Sequence, residues 1–163
     1  MELEVGPGAG GYRFRPFLKP SLNTVFLDIH PPREKPDAEW VAADAHLLPF
    51  RSGVFSRVVA VHVIEHLSNP QQFLRECYRV LKRGGRVLIA APNFLSSNAY
   101  RDPDHRHVFS FLKLRKMLRE AGFVTRHSYG DNIGDLIPRP IRKAIGWILA
   151  LTCNDLVMVG IKP

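Results

Sequence analysis

The strand-like stretch Leu3-Glu4-Val5 runs straight into Gly6-Pro7-Gly8-Ala9-Gly10-Gly11. A strand that empties into so many glycines must turn sharply. Without Cβ atoms, the turn's backbone N–H groups can come close to a ligand. Gly6, Gly8 and Gly11 satisfy Gly-x-Gly-x-x-Gly, the dinucleotide fingerprint of a βα unit. Glu4 followed by Gly6, Gly8 and Gly10 satisfies a second pattern, an acid ahead of Gly-x-Gly-x-Gly. A turn with no ligand is the third reading, and the rest of the chain has to separate the three.

The segments that follow alternate between strand and helix patterns, as a parallel α/β sheet requires. Residues 23–28 predict a second strand, ending in Asp28. An acid about twenty residues past such a glycine turn is placed to accept hydrogen bonds from ribose hydroxyls. Trp40 to Ala43 predicts a short third strand that leads to Asp44, whose alternative role is a helix N-cap. Residues 55–63, Phe-Ser-Arg-Val-Val-Ala-Val-His-Val, read as a fully buried parallel strand. A helix is expected from about Pro70 to Lys82, stopped by Gly84-Gly85, with the next strand at Arg86–Ala91. Residues 94–109 read as a loop, followed by a helix over Ser110–Ala121 and strands at Phe123–Tyr129 and Leu156–Pro163.

Two segments fit this scheme poorly. A first helix belongs at 12–22, but Pro16 and Pro20 interrupt it. It is expected to be short or missing, with Arg13 or Arg15 able to supply positive charge in its place. Ile141–Leu151 reads as a helix with a basic start and an apolar body. Such a helix packs on the sheet or over the site, or else lies against a lipid-like substrate.

The run from His62 to Asn93 separates the readings. It holds Ile-Glu-His-Leu, then Leu-Arg-Glu-Cys-Tyr-Arg-Val-Leu-Lys-Arg-Gly-Gly, then Ala-Pro-Asn. Together with Leu3–Gly10, Ala43-Asp44-Ala45 before Leu48-Pro49-Phe50, and His105-Arg106-His107 before Phe109-Ser110, it resembles the class I S-adenosylmethionine (SAM) methyltransferases. The resemblance is to their ubiquinone/menaquinone-biosynthesis-like (type 11) subgroup. It covers nearly the whole chain and is weakest at 12–22. Relatives usually carry Asp where Ser56 follows Phe55, a position that is generally structural.

The resemblance implies a Rossmann-like doubly wound sheet with strand order 3-2-1-4-5-7-6 and strand 7 antiparallel. It implies one SAM-dependent methyltransferase domain over 1–163, without the N-terminal cover helix many relatives have. The implied cofactor is SAM, with S-adenosylhomocysteine as product. Its expected contacts are Glu4, Gly6, Pro7, Gly8, Gly10, Asp28, Ile29, Asp44, Ala45 and His62. In the family pattern Asp44 accepts from the adenine amino group and the Ala45 backbone N–H donates to the ring. His62 is expected to act through its backbone.

Methyl transfer is an in-line displacement, so positioning the acceptor is most of the work. A hydroxyl or protonated amine also needs a base, for which histidine suits neutral pH. The candidates are His105, His107 and His66, with His62 last because its backbone is the expected contact. For the first two, a loop-ordering bond to Asp102 or Asp104 is the competing role. No metal constellation stands out, and His105-x-His107 beside Asp104 comes nearest to one.

Composition narrows the partners. The net charge is +8, and the positive residues are dispersed rather than run together. Anionic partners are favoured, but no RNA-binding module is attached. Cys77 and Cys153 lie far apart in apolar contexts, which fits a reducing cytoplasm rather than a disulfide framework or a zinc site. Ile145–Leu151 is too short to span a bilayer, so no transmembrane segment is expected. The leading function is methyl transfer to a small-molecule, glycan or lipid-linked hydroxyl or amine. The alternatives are an RNA- or protein-directed methyltransferase and a non-catalytic SAM-binding partner subunit. A homodimer is left open.

Overall fold

The computed structural model describes residues 1–8, 23–31, 39–127 and 155–163. Seven strands form one sheet: β1 Glu2–Val5, β2 Thr24–Asp28, β3 Glu39–Ala42, β4 Phe55–Val61, β5 Leu81–Pro92, β6 Val124–His127 and β7 Asp155–Ile161. Their order is β3-β2-β1-β4-β5-β7-β6. Strands β1 to β5 pair in parallel, while β7 runs antiparallel to both β5 and β6. This is the expected Rossmann-like order. The expected helices at 12–22 and 141–151 lie outside the described residues, as do Gly10, Arg13, Arg15 and Cys153.

The central strands carry the core. Leu3, Phe55, Val58, Ala60, Val87 and Ile89 have no exposed surface. The near-continuous apolar runs of β4 and β5 are what a strand covered on both faces requires. Trp40 of the edge strand β3 stacks on Phe26 of β2, ring centroids 5.0 Å apart. Ser56 has a structural role. Its backbone N–H and its hydroxyl both donate to the Met1 carbonyl, at 3.0 and 2.9 Å.

Helix α1 spans Pro70–Val80. Asn69 caps it by accepting from the Gln72 N–H at 3.1 Å, and Pro70 supplies a preset φ in the first turn. Phe73, Leu74, Cys77 and Val80 form its buried face. Burial also pushes the Cys77 thiol well above its ordinary pKa, which makes it a packing residue rather than a nucleophile.

The helix ends two residues before the expected Lys82. Gly53 and Val54 donate N–H groups to the carbonyls of Arg79 and Val80, and Leu81 already pairs with Phe55 of β4. The sheet therefore captures the last turn before any glycine is reached. Gly84 and Gly85 instead build an irregularity inside β5, where the register jumps from Phe55↔Leu81 to Arg57↔Arg86. A Cβ on Gly85 would lie 2.8 Å from the Lys82 carbonyl oxygen. A short helix α2, Asn98–Arg101, interrupts the segment expected to be all loop. Helix α3, Phe111–Glu120, follows with Ser110 as its N-cap.

A clamp on α1 holds the connection after β3. Glu76 accepts from Arg79 Nε at 2.7 Å and from the Leu48 N–H at 2.8 Å. Arg79 donates to the carbonyls of Phe50 and Leu48, at 2.7 and 2.8 Å. Arg79 first, then the Leu48 N–H, hold the Glu76 carboxyl below its ordinary value despite partial burial. A depressed carboxyl stabilises the fold above its unfolded-state pKa and loses that contribution as pH falls through its folded value. Glu76→Gln is therefore expected to cost about 1–2 kcal/mol at neutral pH. The gap from wild type should shrink on the acid side of about pH 4.5. Thermal melts of both proteins between neutral pH and pH 3 measure this.

Candidate functional site

The parallel strands present their C-terminal ends on one rim, where an open α/β sheet binds ligands. A cavity of about 370 Å³ opens there. It is bordered by Val5 and Gly6 after β1, Leu27 to Ile29 after β2, Ala43 to His46 after β3, and His62, Val63 and His66 after β4. Arg106 closes it from the loop before α3. The volume lies in the range of small-molecule and cofactor sites.

Its floor depends on Gly6, which has φ +66°. A Cβ there would lie 2.4 Å from Val63 Cγ2. The Gly6 N–H donates to the Leu27 carbonyl at 2.7 Å, tying the turn to β2. Asp28 extends that tie. Its Oδ2 accepts from the Gly8 N–H at 3.0 Å and its Oδ1 from the His30 N–H at 2.9 Å. Each carboxylate oxygen retains capacity for a further donor from the cavity.

On the opposite wall, Asp44 forms a turn rather than capping a helix. Its Oδ1 accepts from the His46 N–H at 2.8 Å and lies 2.6 Å from His46 Nδ1. The backbone bond first, then the ring, lowers the Asp44 pKa and keeps an ionised acceptor at the rim. His46 Nε2 in turn accepts from the Asn69 N–H at 3.1 Å, which anchors the wall to the start of α1.

His62 lines the cavity, and its side chain makes contacts in addition to the expected backbone role. It is a non-glycine residue with φ +54°, at the point where β4 turns away from the sheet. Such conformations are uncommon and concentrate at functional positions. Its side chain sits between two carboxylates, with Nε2 3.5 Å from Asp155 Oδ2 and Nδ1 3.2 Å from Glu65 Oε1. Asp155 first and then Glu65 raise its pKa to about 10, against the opposing effect of burial.

The three candidate bases do not share one environment. His66 borders the cavity. His105 stands behind it, ring centroids 4.8 Å apart. The competing loop-ordering role fits His105 in part: its Nδ1 lies 3.1 Å from the Ala99 carbonyl, and its Nε2 is 3.9 Å from Asp102 Oδ2. His107 turns towards Phe109, ring centroids 6.2 Å apart, and its backbone N–H donates to the Glu65 carbonyl at 3.1 Å.

Of the expected cofactor contacts, Gly6, Asp28, Ile29, Asp44, Ala45 and His62 line the cavity. Glu4 is buried within β1, and Pro7 and Gly8 continue the turn beyond the floor. Sequence reasoning did not single out Asp155, Glu65, His46 or Arg106 for the site. For His46 the Asp-x-His spacing was an available signal. Asp155 had none, because its approach to His62 depends on how β7 pairs with β5.

A family model described as "Methyltransferase domain" matches residues 3–89. The ubiquinone/menaquinone biosynthesis C-methyltransferase UbiE of a Ruegeria species is 36% identical over 101 residues, covering 53% of this chain and 40% of that protein. The chain therefore spans less than half the length of this curated relative. A SAM-dependent methyltransferase structure from Archaeoglobus fulgidus superposes with TM-score 0.71 at 20% identity, covering 99% of this chain and 85% of the other. A Haloferax volcanii methyltransferase, described as putative and solved in complex with the activator Trm112, gives TM-score 0.70 at 20% identity, with coverage of 99% and 82%.

Proposed function

The chain belongs to the methyltransferase domain family, and on that premise we propose that it moves a methyl group from SAM to an acceptor held at the rim beside His66. The observation that carries this is the cavity itself. It has a glycine floor that a Cβ would fill, and carboxylates at the ends of two successive strands. Those features suit SAM, which supplies an electrophilic methyl on a sulfonium when bound.

Asp28 would accept from the ribose hydroxyls, and its bonds to Gly8 and His30 set its orientation beforehand. Asp44, kept ionised by His46, would accept from the adenine amino group, with the Ala45 N–H donating to the ring. Ile29, 63% exposed, offers an apolar surface to the base. Pro7 and Gly8 continue the turn, Glu4 lies buried in the strand before it, and Gly10 remains a proposed contact from the sequence. His62 borders the cavity with its ring held between Asp155 and Glu65, which fixes the rim there. Of the candidate bases, His66 and His62 border the cavity; His62 is held between Asp155 and Glu65, so we place the acceptor against His66, with His105 behind and His107 in a supporting role.

The acceptor class we favour is a small molecule, glycan or lipid-linked group. A quinone-like ring is the case suggested by the name of the Ruegeria relative. Among the described residues no helix is long and apolar enough to cross a membrane. The buried free thiol of Cys77 supports a reducing, cytoplasmic setting. A second reading, a chain that needs a partner subunit, is favoured by the Haloferax relative's complex with Trm112.

Calorimetric titration with S-adenosylhomocysteine, with NAD as control, tests the cofactor assignment. Binding of the first and not the second is expected. A folded sample that binds neither would overturn it.

A further inference from the structure

Glu65, His66 and His105 come together behind the cavity's acceptor end, with one ligand atom of each within 4.8 Å of the others. Three features make this more than proximity. Glu65 is only 1% exposed, and among the described residues no hydrogen-bond donor reaches its buried Oε2. A buried carboxylate oxygen left without a partner is unfavourable. Its other oxygen already faces His62 Nδ1, at 3.2 Å.

The two imidazoles are also pre-set. His66 Nδ1 faces the Asp104 carbonyl at 3.3 Å, and His105 Nδ1 faces the Ala99 carbonyl at 3.1 Å. A carbonyl only accepts, so Nδ1 is the donor in each contact, and the neutral ring of that tautomer has its lone pair on Nε2. A ring N–H donated to a backbone carbonyl is the usual outer-shell support of a metal-binding histidine. Finally, Asp102 Oδ2 lies 3.9 Å from His105 Nε2, a further carboxylate beside the cluster.

We infer that Glu65, His66 and His105 form a binding site for a divalent transition-metal ion of the zinc, cobalt or manganese class. Two neutral imidazoles and one carboxylate suit such ions and leave coordination positions open. Because His66 also borders the cavity, an open position would face the acceptor and select one that offers an oxygen ligand. That last step rests on the methyltransferase reading, whereas metal binding does not.

The test begins with the full chain stripped by a chelator and titrated with Co²⁺ at neutral pH, followed by visible absorption. Zn²⁺ is then added in competition, and S-adenosylhomocysteine binding is measured on the same metal-free sample. One Co²⁺ per chain, a d–d band and displacement by Zn²⁺ are expected. His66→Asn and His105→Asn should each weaken Co²⁺ binding by about 100-fold or more, and His30→Asn, on an exposed turn, should leave it unchanged. Near-UV circular dichroism identifies which variants are folded. Glu65→Gln is the third variant, and the histidine variants keep the inference testable if it does not fold.

No Co²⁺ binding by the folded wild-type protein would overturn the site, as would binding that folded His66→Asn and His105→Asn proteins retain. If S-adenosylhomocysteine binds while Co²⁺ does not, the metal inference fails and the cofactor reading stands. The reverse result separates them the other way.

Discussion

Gly6→Ala is expected to collapse the cofactor end of the cavity and to destabilise the fold. Two costs coincide at this position. The backbone holds φ +66°, which L side chains adopt only with strain. The added methyl would also sit 2.4 Å from Val63 Cγ2, inside any real contact. Val63 has little room to yield, since its β-branched side chain is stiff at χ1 and it packs against the core. Together these should lower stability by about 2–4 kcal/mol. Whatever folded protein remains should have lost S-adenosylhomocysteine affinity by more than about tenfold, because relief requires moving the turn or the Val63–His66 segment. Chemical denaturation and calorimetry read the two effects separately. An alanine variant as stable as wild type, with unchanged affinity, would contradict both the floor assignment and the strain argument.

Asp28→Ala should nearly abolish binding of S-adenosylhomocysteine while leaving the chain folded. Asp28 is half-buried at the end of β2 and lines the cavity rather than the core, so its removal opens no core cavity. What is lost is an ionised acceptor for the ribose hydroxyls, together with the bonds that hold Gly8 and His30 in register with β2. Hydrogen bonds to a charged group are worth roughly 1.5–3 kcal/mol each, so an affinity loss of about 100-fold or more is expected. Asp28→Asn is the informative companion. Its amide keeps one acceptor oxygen, so it should retain part of the affinity that Asp28→Ala loses. A folded Asp28→Ala protein that binds within about threefold of wild type would remove the ribose role.

Much of the fold was legible in the chain because its signals are local. Apolar runs at 55–61 and 86–91 announce buried parallel strands, and the glycine turn after Val5 announces the rim. Asp28 ends β2 and Asp44 lies two residues past β3, so knowing where each strand ends places each acid on that rim. The end of α1 was misjudged for a physical reason. Gly84-Gly85 looks like a helix stop, but backbone bonds from Gly53 and Val54, just ahead of the central strand β4, already hold the carbonyls of Arg79 and Val80.

The acceptor side was not legible in the same way. By itself the sequence determined the element order, the glycine floor and the two acids, since each depends on residues a few positions apart in one turn or strand. Tertiary structure alone decided that Asp155 of β7 reaches His62, and that His105 crosses the gap to stand behind His66. It also decided that His107 turns to Phe109. Those meetings depend on antiparallel pairing of β5 with β7 and on two N–H groups, of Arg106 and His107, donating to the single carbonyl of Glu65. Such long-range bonds have no periodicity for a sequence to display, because the partners are chosen by where the folded backbone leaves an acceptor unfilled.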